Sequence, residues 1–195
     1  VTLAGVSLRN PLVLASGIWG SSAGTLVRAG LAGAGAVTSK SCSLVPIRGH
    51  PNPTVLDWGH GLINAIGLAN PGAEAERVEL ERTRDGLEGT GVALFASVFG
   101  DSPLAFAEAV RILAPAGADL VELNISCPNV ASEYGRPFAL DPLAAAAVTE
   151  AVRRVRETAR ELGRHPAVFA ISVANEIPQD IVRFYGAARV ERFIG

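Results

Sequence analysis

The stretch Leu123-Asn124-Ile125-Ser126-Cys127-Pro128-Asn129 sets two amides and a thiol directly after an apolar run, Ala118 to Leu123, that reads as a β-strand. Pro128 has no N–H to give to a ladder, so the strand should stop there. Parallel α/β proteins present side chains to ligands at the C-terminal ends of their strands. A thiol in that place has chemistry available to it. Its ordinary pKa near 8.5 leaves about a few per cent ionised at neutral pH, enough for a general base whose active fraction is refilled quickly. The opposing reading of Cys127 is an inert buried thiol, the commoner fate of a lone cysteine. A third reading, the nucleophile of a thiol hydrolase, needs a histidine partner, and none lies in a comparable motif. The segment 130–140, rich in small and turn-forming residues and carrying Tyr134-Gly135-Arg136-Pro137, reads as a mobile loop over a pocket.

Three further segments fall at or beyond the C-terminal ends of apolar runs: Ala15-Ser16-Gly17, Ser39-Lys40-Ser41 and Asn64-Ala65-Ile66-Gly67-Leu68. Small residues such as Ala15, Ser16 and Gly17 let a flat ring approach the main chain, although taken alone they are better explained by a tight βα turn. Lys40 closes an otherwise apolar strand, where an ammonium needs a partner. It either places positive charge beside an electron-accepting ring or a carboxylate, or snorkels to the surface. Asn64, Asn124 and Asn129 offer both donors and acceptors, the equipment for a planar imide or amide, while turn formation is the competing explanation, strongest for Asn64 and Asn70 near glycines. Cys42 has no such context beyond the nearby Lys40 and reads as structural.

These segments need a scaffold. Strand-like runs at Leu12 to Ala15, Ala36 to Lys40, Val92 to Val98, Leu120 to Leu123 and Ala167 to Val173, with a sixth at Val190 to Ile194, alternate with helix-like segments at Thr25 to Ala32, Ala73 to Leu87, Pro103 to Ala114 and Pro142 to Leu162. That alternation predicts an α/β fold with a parallel sheet. Asp141-Pro142 is the clearest helix start, with Gly163 as its stop, and Asp101-Ser102-Pro103 with Ala116-Gly117 frames another helix. The segment from Ser41 to Gly72, with Pro46, Pro51, Pro53 and Pro71, is too long for a simple connector, and long insertions of this kind commonly build a site. No linker or low-complexity tract divides the chain, so one domain spanning residues 1–195 is expected. A closed (β/α)₈ barrel needs eight strands and typically about 250 residues; five or six strands suggest an incomplete barrel or an open sheet.

Composition narrows the function. With 49% hydrophobic and 18% charged residues and a formal net charge of −2, the 195-residue chain is globular in type, and its charge gives no reason to expect nucleic acid or an anionic membrane surface. Apolar runs are broken well before membrane-spanning length, and a cytoplasmic protein with reduced thiols is the default expectation. Isolated His50, His60 and His165 without a Cys-x-x-Cys leave no recognisable metal constellation.

Taken together, Ala15-Ser16-Gly17, Thr38-Ser39-Lys40-Ser41, the run from Asn64 to Gly72 and the run from Glu122 to Val130 resemble the ordered motif set of the dihydroorotate dehydrogenases, over the chain from its first residue to about Leu162. The last two motifs are long and specific. Cysteine at position 127, where other members carry serine, is similar to the class 1, cytosolic type. Phe138-Ala139-Leu140-Asp141-Pro142 looks more like the NAD-linked than the fumarate-linked subtype.

The resemblance implies a (β/α)₈ barrel of TIM type that binds FMN and oxidises dihydroorotate to orotate in pyrimidine synthesis. Cys127 would take the C5 proton while hydride leaves C6 for the flavin. Lys40 would stabilise the reduced flavin and meet the substrate. Asn64, Asn124 and Asn129 would hold the pyrimidine, with backbone groups of Gly67 and Leu68 adding contacts. Ala15, Ser16, Gly17, Ser41, Lys40 and Asn124 would line the flavin. A homodimer is implied, joined in the NAD-linked type by an iron–sulfur/FAD electron-transfer subunit. Ala69 stands where the family has proline, which relaxes a turn without removing a ligand group. The fifth strand lacks the family's lysine, and the later glycine-rich turns for the flavin phosphate do not occur in these residues, so the alternative expectation is a non-catalytic barrel remnant or assembly subunit unable to bind FMN.

Overall fold

A computed structural model describes residues 1–127, 137–161 and 168–172. The chain starts with a hairpin of β1 (Thr2–Leu3) and β2 (Val6–Ser7), then runs through β3 (Val13–Leu14), α1 (Ala23–Leu31) and β4 (Ala36–Thr38). A second hairpin, β5 (Val55–Asp57) and β6 (Leu62–Asn64), precedes α2 (Ala73–Gly86). There follow β7 (Ala93–Val98), α3 (Pro103–Leu113), β8 (Leu120–Asn124), α4 (Pro142–Glu161) and β9 (Val168–Ser172).

Helix starts fall where side chains replace missing intrahelical partners. Ser102 Oγ accepts from the N–H of Ala105 at 3.3 Å, and Asp141 Oδ1 accepts from Leu143 and Ala144 at 2.9 and 3.2 Å. The short 3-10 turn Ala114–Ala116 that extends α3 closes on Gly117, whose φ of 70° is the left-handed position glycine takes readily.

β3, β4, β7, β8 and β9 form one sheet, every pair parallel, in an order identical to their order in the chain. The helices follow the same sequence, α1 against α2, α2 against α3 and α3 against α4. A doubly wound sheet reverses its strand order and puts helices on both faces; this one winds in a single direction, the manner of a barrel.

Period two sorts the strand residues between the faces. Val37, Leu94, Ala96, Val98, Val121 and Leu123 join the helices' Leu26, Leu80, Phe106, Val110, Leu113, Val148 and Val152 in the main core. Full burial of each of the larger side chains contributes roughly 1.5–3 kcal/mol. On the opposite face Ala36, Ala93, Phe95 and Leu120 gather around Leu8 from the residues after the first hairpin. Further along the same strands that face turns polar, with Ser97, Glu122 and Asn124 following Phe95 and Leu120 at alternate positions. The inner surface is therefore apolar at the strands' N-terminal ends and hydrogen-bonding at their C-terminal ends.

The five strands and four helices expected from sequence are present with shifted ends. β4 stops at Thr38, so Lys40 lies two residues past the strand rather than closing it. The segment 41–72 contains the β5–β6 hairpin, which removes the turn explanation for Asn64: that residue pairs with Val55 in a strand. The expected sixth strand at Val190 to Ile194 and the helix stop at Gly163 lie outside the described residues. Among the described residues no helix is long and apolar enough to cross a membrane.

Candidate functional site

The polar end of the sheet is held by a directed chain of hydrogen bonds. Glu122 Oε1 accepts from Ser97 Oγ and from Ser16 Oγ, both at 2.7 Å, the length of charge-assisted O–H···O⁻ bonds. A hydroxyl has one proton, so with Ser97's spent on Glu122 the 2.8 Å contact between Ser41 Oγ and Ser97 Oγ has Ser41 as donor. Ser41 Oγ in turn accepts from Asn124 Nδ2 at 3.2 Å. This order fixes Asn124's amide, whose Oδ1 faces Ser126 Oγ at 3.5 Å. Ser16, Ser41 and Asn124, three of the expected site residues, are thus brought together by two that the sequence reading did not single out, Ser97 and Glu122. A signal was present: Glu122 is a charge two residues before Asn124, on the same face of a strand.

Lys40 is positioned by backbone. Its N–H donates to the carbonyl of Gly20 at 2.9 Å, while Ser39 and Cys42 continue the pairing with Phe95 and Ser97 at 2.9 and 3.0 Å. Gly20 ends the 3-10 turn Ile18–Gly20, and a Cβ there would stand 2.6 Å from the Thr38 carbonyl oxygen and 2.8 Å from the Lys40 nitrogen. Only glycine permits that approach. Lys40 is half-buried, not a surface lysine, and lies within electrostatic reach of Glu76 and Cys42.

Glu76, in the first turn of α2, is 1% exposed, and neither carboxyl oxygen meets a hydrogen-bond partner. Burial pushes its pKa up from 4.5 to about 7, the nearby Glu79 adds to the rise and the Lys40 charge opposes it. Ser39's hydroxyl is already engaged, accepting from the Ser97 N–H at 3.2 Å and reaching the Lys40 carbonyl at 3.5 Å. Burial, helped by Glu76, also drives the Cys42 thiol far above its ordinary range, in keeping with a structural role.

Cys127 is 2% exposed and packs in the main core cluster, three residues beyond the end of β8. Ala15 is exposed and Gly17 half-buried beside Ser16. Asn64 is exposed on β6 and stands outside the Glu122 network. Gly67 and Leu68 line a cavity of about 460 Å³ together with Ser43, Ile47, His50 and Phe99. Asn129 and most of the loop expected over the pocket lie outside the described residues. A second hollow, of about 520 Å³, opens at the opposite end of the sheet beside Val6, Arg84, Val92 and Asp119, away from these residues.

Residues 1–183 match the family model described as dihydroorotate dehydrogenase. The chain belongs to the dihydroorotate dehydrogenase family. Curated relatives named dihydroorotate dehydrogenase B (NAD(+)), catalytic subunit, include a protein of Methanosarcina mazei, 42% identical over 155 residues, or 79% of this chain and 48% of the relative. One of Methanothermobacter thermautotrophicus is 44% identical over 152 residues, 78% of this chain and 48% of its own length. One of Pyrococcus furiosus is 40% identical over 157 residues, 80% and 50% of the two. The chain spans about half the length of these dihydroorotate dehydrogenase relatives.

Proposed function

We propose that this chain carries the catalytic residues of an FMN-dependent, class 1 dihydroorotate dehydrogenase of the NAD-linked type, acting in pyrimidine synthesis. The observation that carries the reading is the Asn124–Ser41–Ser97–Glu122–Ser16 chain, which joins residues of three separate family motifs at one end of the sheet, beside Lys40. The donor set fits a flavin ring. Ser16 and Gly17 offer a low-relief wall, Gly20 lets the backbone close up behind Lys40, and Lys40 brings a cation to a half-buried polar layer. FMN, when bound there, supplies the sink for the hydride leaving substrate C6.

The chain's own residues do the rest. Asn124, its amide fixed by Ser41, binds the substrate's pyrimidine ring, with Asn64, Asn129 and the backbone of Gly67 and Leu68 as its further contacts. Cys127 removes the C5 proton as general base. Lys40 neutralises developing negative charge, and Glu122 orients the hydroxyls without touching substrate. Positioning of the two reacting faces accounts for much of the acceleration. The architecture belonging to this reading is one flavin-binding domain, the single-direction sheet being part of a closed (β/α)₈ barrel in a cytoplasmic homodimer. The words "catalytic subunit" in the relatives' names support an additional iron–sulfur/FAD electron-transfer partner.

The test is an absorption spectrum of the purified protein after FMN addition, with and without dihydroorotate under anaerobic conditions. Bound flavin that bleaches on adding dihydroorotate is the expected result. Protein that acquires no flavin spectrum would overturn the reading in favour of a non-catalytic remnant or assembly subunit.

A further inference from the structure

The backbone beside the 460 Å³ cavity is strained where it matters. Gly67 and Leu68 are consecutive left-handed residues, with φ of 70° and 56°, and Leu68 has no glycine's freedom to adopt that shape. Both line the cavity. Something must over-determine this conformation.

At its C-terminal side the anchor is Asn70, whose Nδ2 donates to the Leu68 carbonyl at 2.9 Å and to Ser43 Oγ at 3.0 Å. At its N-terminal side the Ala65 N–H donates to the Thr54 carbonyl at 2.8 Å, and His50 makes the further contacts. The N–H of His50 donates to the Ile66 carbonyl at 3.1 Å, and its ring Nδ1 lies 2.9 Å from the Ala65 carbonyl oxygen. A carbonyl only accepts, so Nδ1 carries the proton. The ring also lies against Gly67, where a Cβ would come within 2.8 Å of His50 Cγ and 2.9 Å of Cδ2. His50 thus grips Ala65, Ile66 and Gly67 in succession, and it lines the same cavity.

We propose that His50 is a positioning residue for substrate: its ring holds the Ala65–Leu68 backbone in the strained shape that receives the carboxylated dihydropyrimidine ring of dihydroorotate. This deepens the functional reading above and rests on it. His50 acts through the loop and takes no part in proton or hydride movement, so its loss should appear in substrate binding and not in turnover.

Three variants separate the contributions. His50→Asn puts an amide N–H where Nδ1–H stands, His50→Phe keeps a ring without the donor, and His50→Ala removes both. For the FMN-loaded protein, KM for dihydroorotate and Kd for orotate should rise about tenfold in His50→Ala, the scale of one lost hydrogen bond, and severalfold in His50→Phe. They should stay within about twofold of wild type in His50→Asn, with kcat little changed throughout. In substrate-free protein, hydrogen exchange at the Ala65 and Asn70 amides, which donate the hydrogen bonds on either side of the strained pair, should quicken in the same rank order. Unchanged KM and exchange in His50→Ala would overturn the proposal, as would kcat falling in step with kcat/KM. If His50→Ala does not fold, the Phe and Asn pair decides by the same criteria. A wild-type protein that binds FMN but is not reduced by dihydroorotate overturns the functional reading and the substrate half of this proposal; the exchange rates still decide whether His50 holds the loop.

Discussion

Two acidic side chains near the candidate site are managed in opposite ways. Glu122 receives two short hydroxyl hydrogen bonds, whereas Glu76 is sealed off with none. Its raised pKa has a consequence for stability whose sign can be worked out. Between the unfolded value of 4.5 and the folded value of about 7, the native state binds more protons than the unfolded state. Glu76's contribution is therefore intact below pH 4.5, is lost as pH rises through 7, and is flat beyond. The full swing is on the order of 3 kcal/mol. Glu76→Gln keeps the shape and removes the titration, so urea midpoints between those pH values should lose this slope; parallel profiles for wild type and variant would contradict the assignment. At Cys127 the prediction concerns chemistry. Cys127→Ser should leave FMN binding unchanged and slow flavin reduction by dihydroorotate at least tenfold, with the pH optimum moved upward because a hydroxyl ionises less readily. Stopped-flow absorbance across pH measures both effects, and unchanged reduction would remove Cys127 from the role of base.

Among the elements, the 3-10 turn Ile18–Gly20 carries more consequence than its length suggests. It binds the main chain of Lys40 through the Gly20 carbonyl and leaves no room for a side chain. Gly20→Ala forces either the turn or the end of β4 to move, and a destabilisation of about 1–3 kcal/mol is expected together with weakened FMN binding. Urea unfolding and flavin titration of the same variant measure the two losses. Elements of this size also mark where sequence reading succeeds and fails. The caps at Ser102 and Asp141 were legible because donor and acceptor lie within three residues of one another. The β5–β6 hairpin was not, since three-residue strands are too short to display a period, and turn formation consequently competed with ligand binding as the explanation of Asn64. Glu122's role was hidden by distance along the chain: its partners Ser97 and Ser16 are 25 and 106 residues away. His50 carries no motif that sequence could show, because its partners are carbonyls, which every residue has.

At the scale of the molecule, the alternation of strands and helices was enough to read the class, because burial on both faces leaves uninterrupted apolar runs. Direction of winding was not readable from the runs themselves. It follows from the identity of strand order and chain order, and from helices packing in the same succession. That order has a further meaning for how the protein is made. Each described strand of the main sheet after the first pairs with the strand one crossover back, the longest crossover separating Ala36 from its partner Ala93. As the polypeptide leaves the ribosome, every new strand can add to a sheet already in place and every helix to the helix before it. Such a sheet grows by accretion from its amino-terminal side, and among the described residues β3 keeps one edge open behind the growing one.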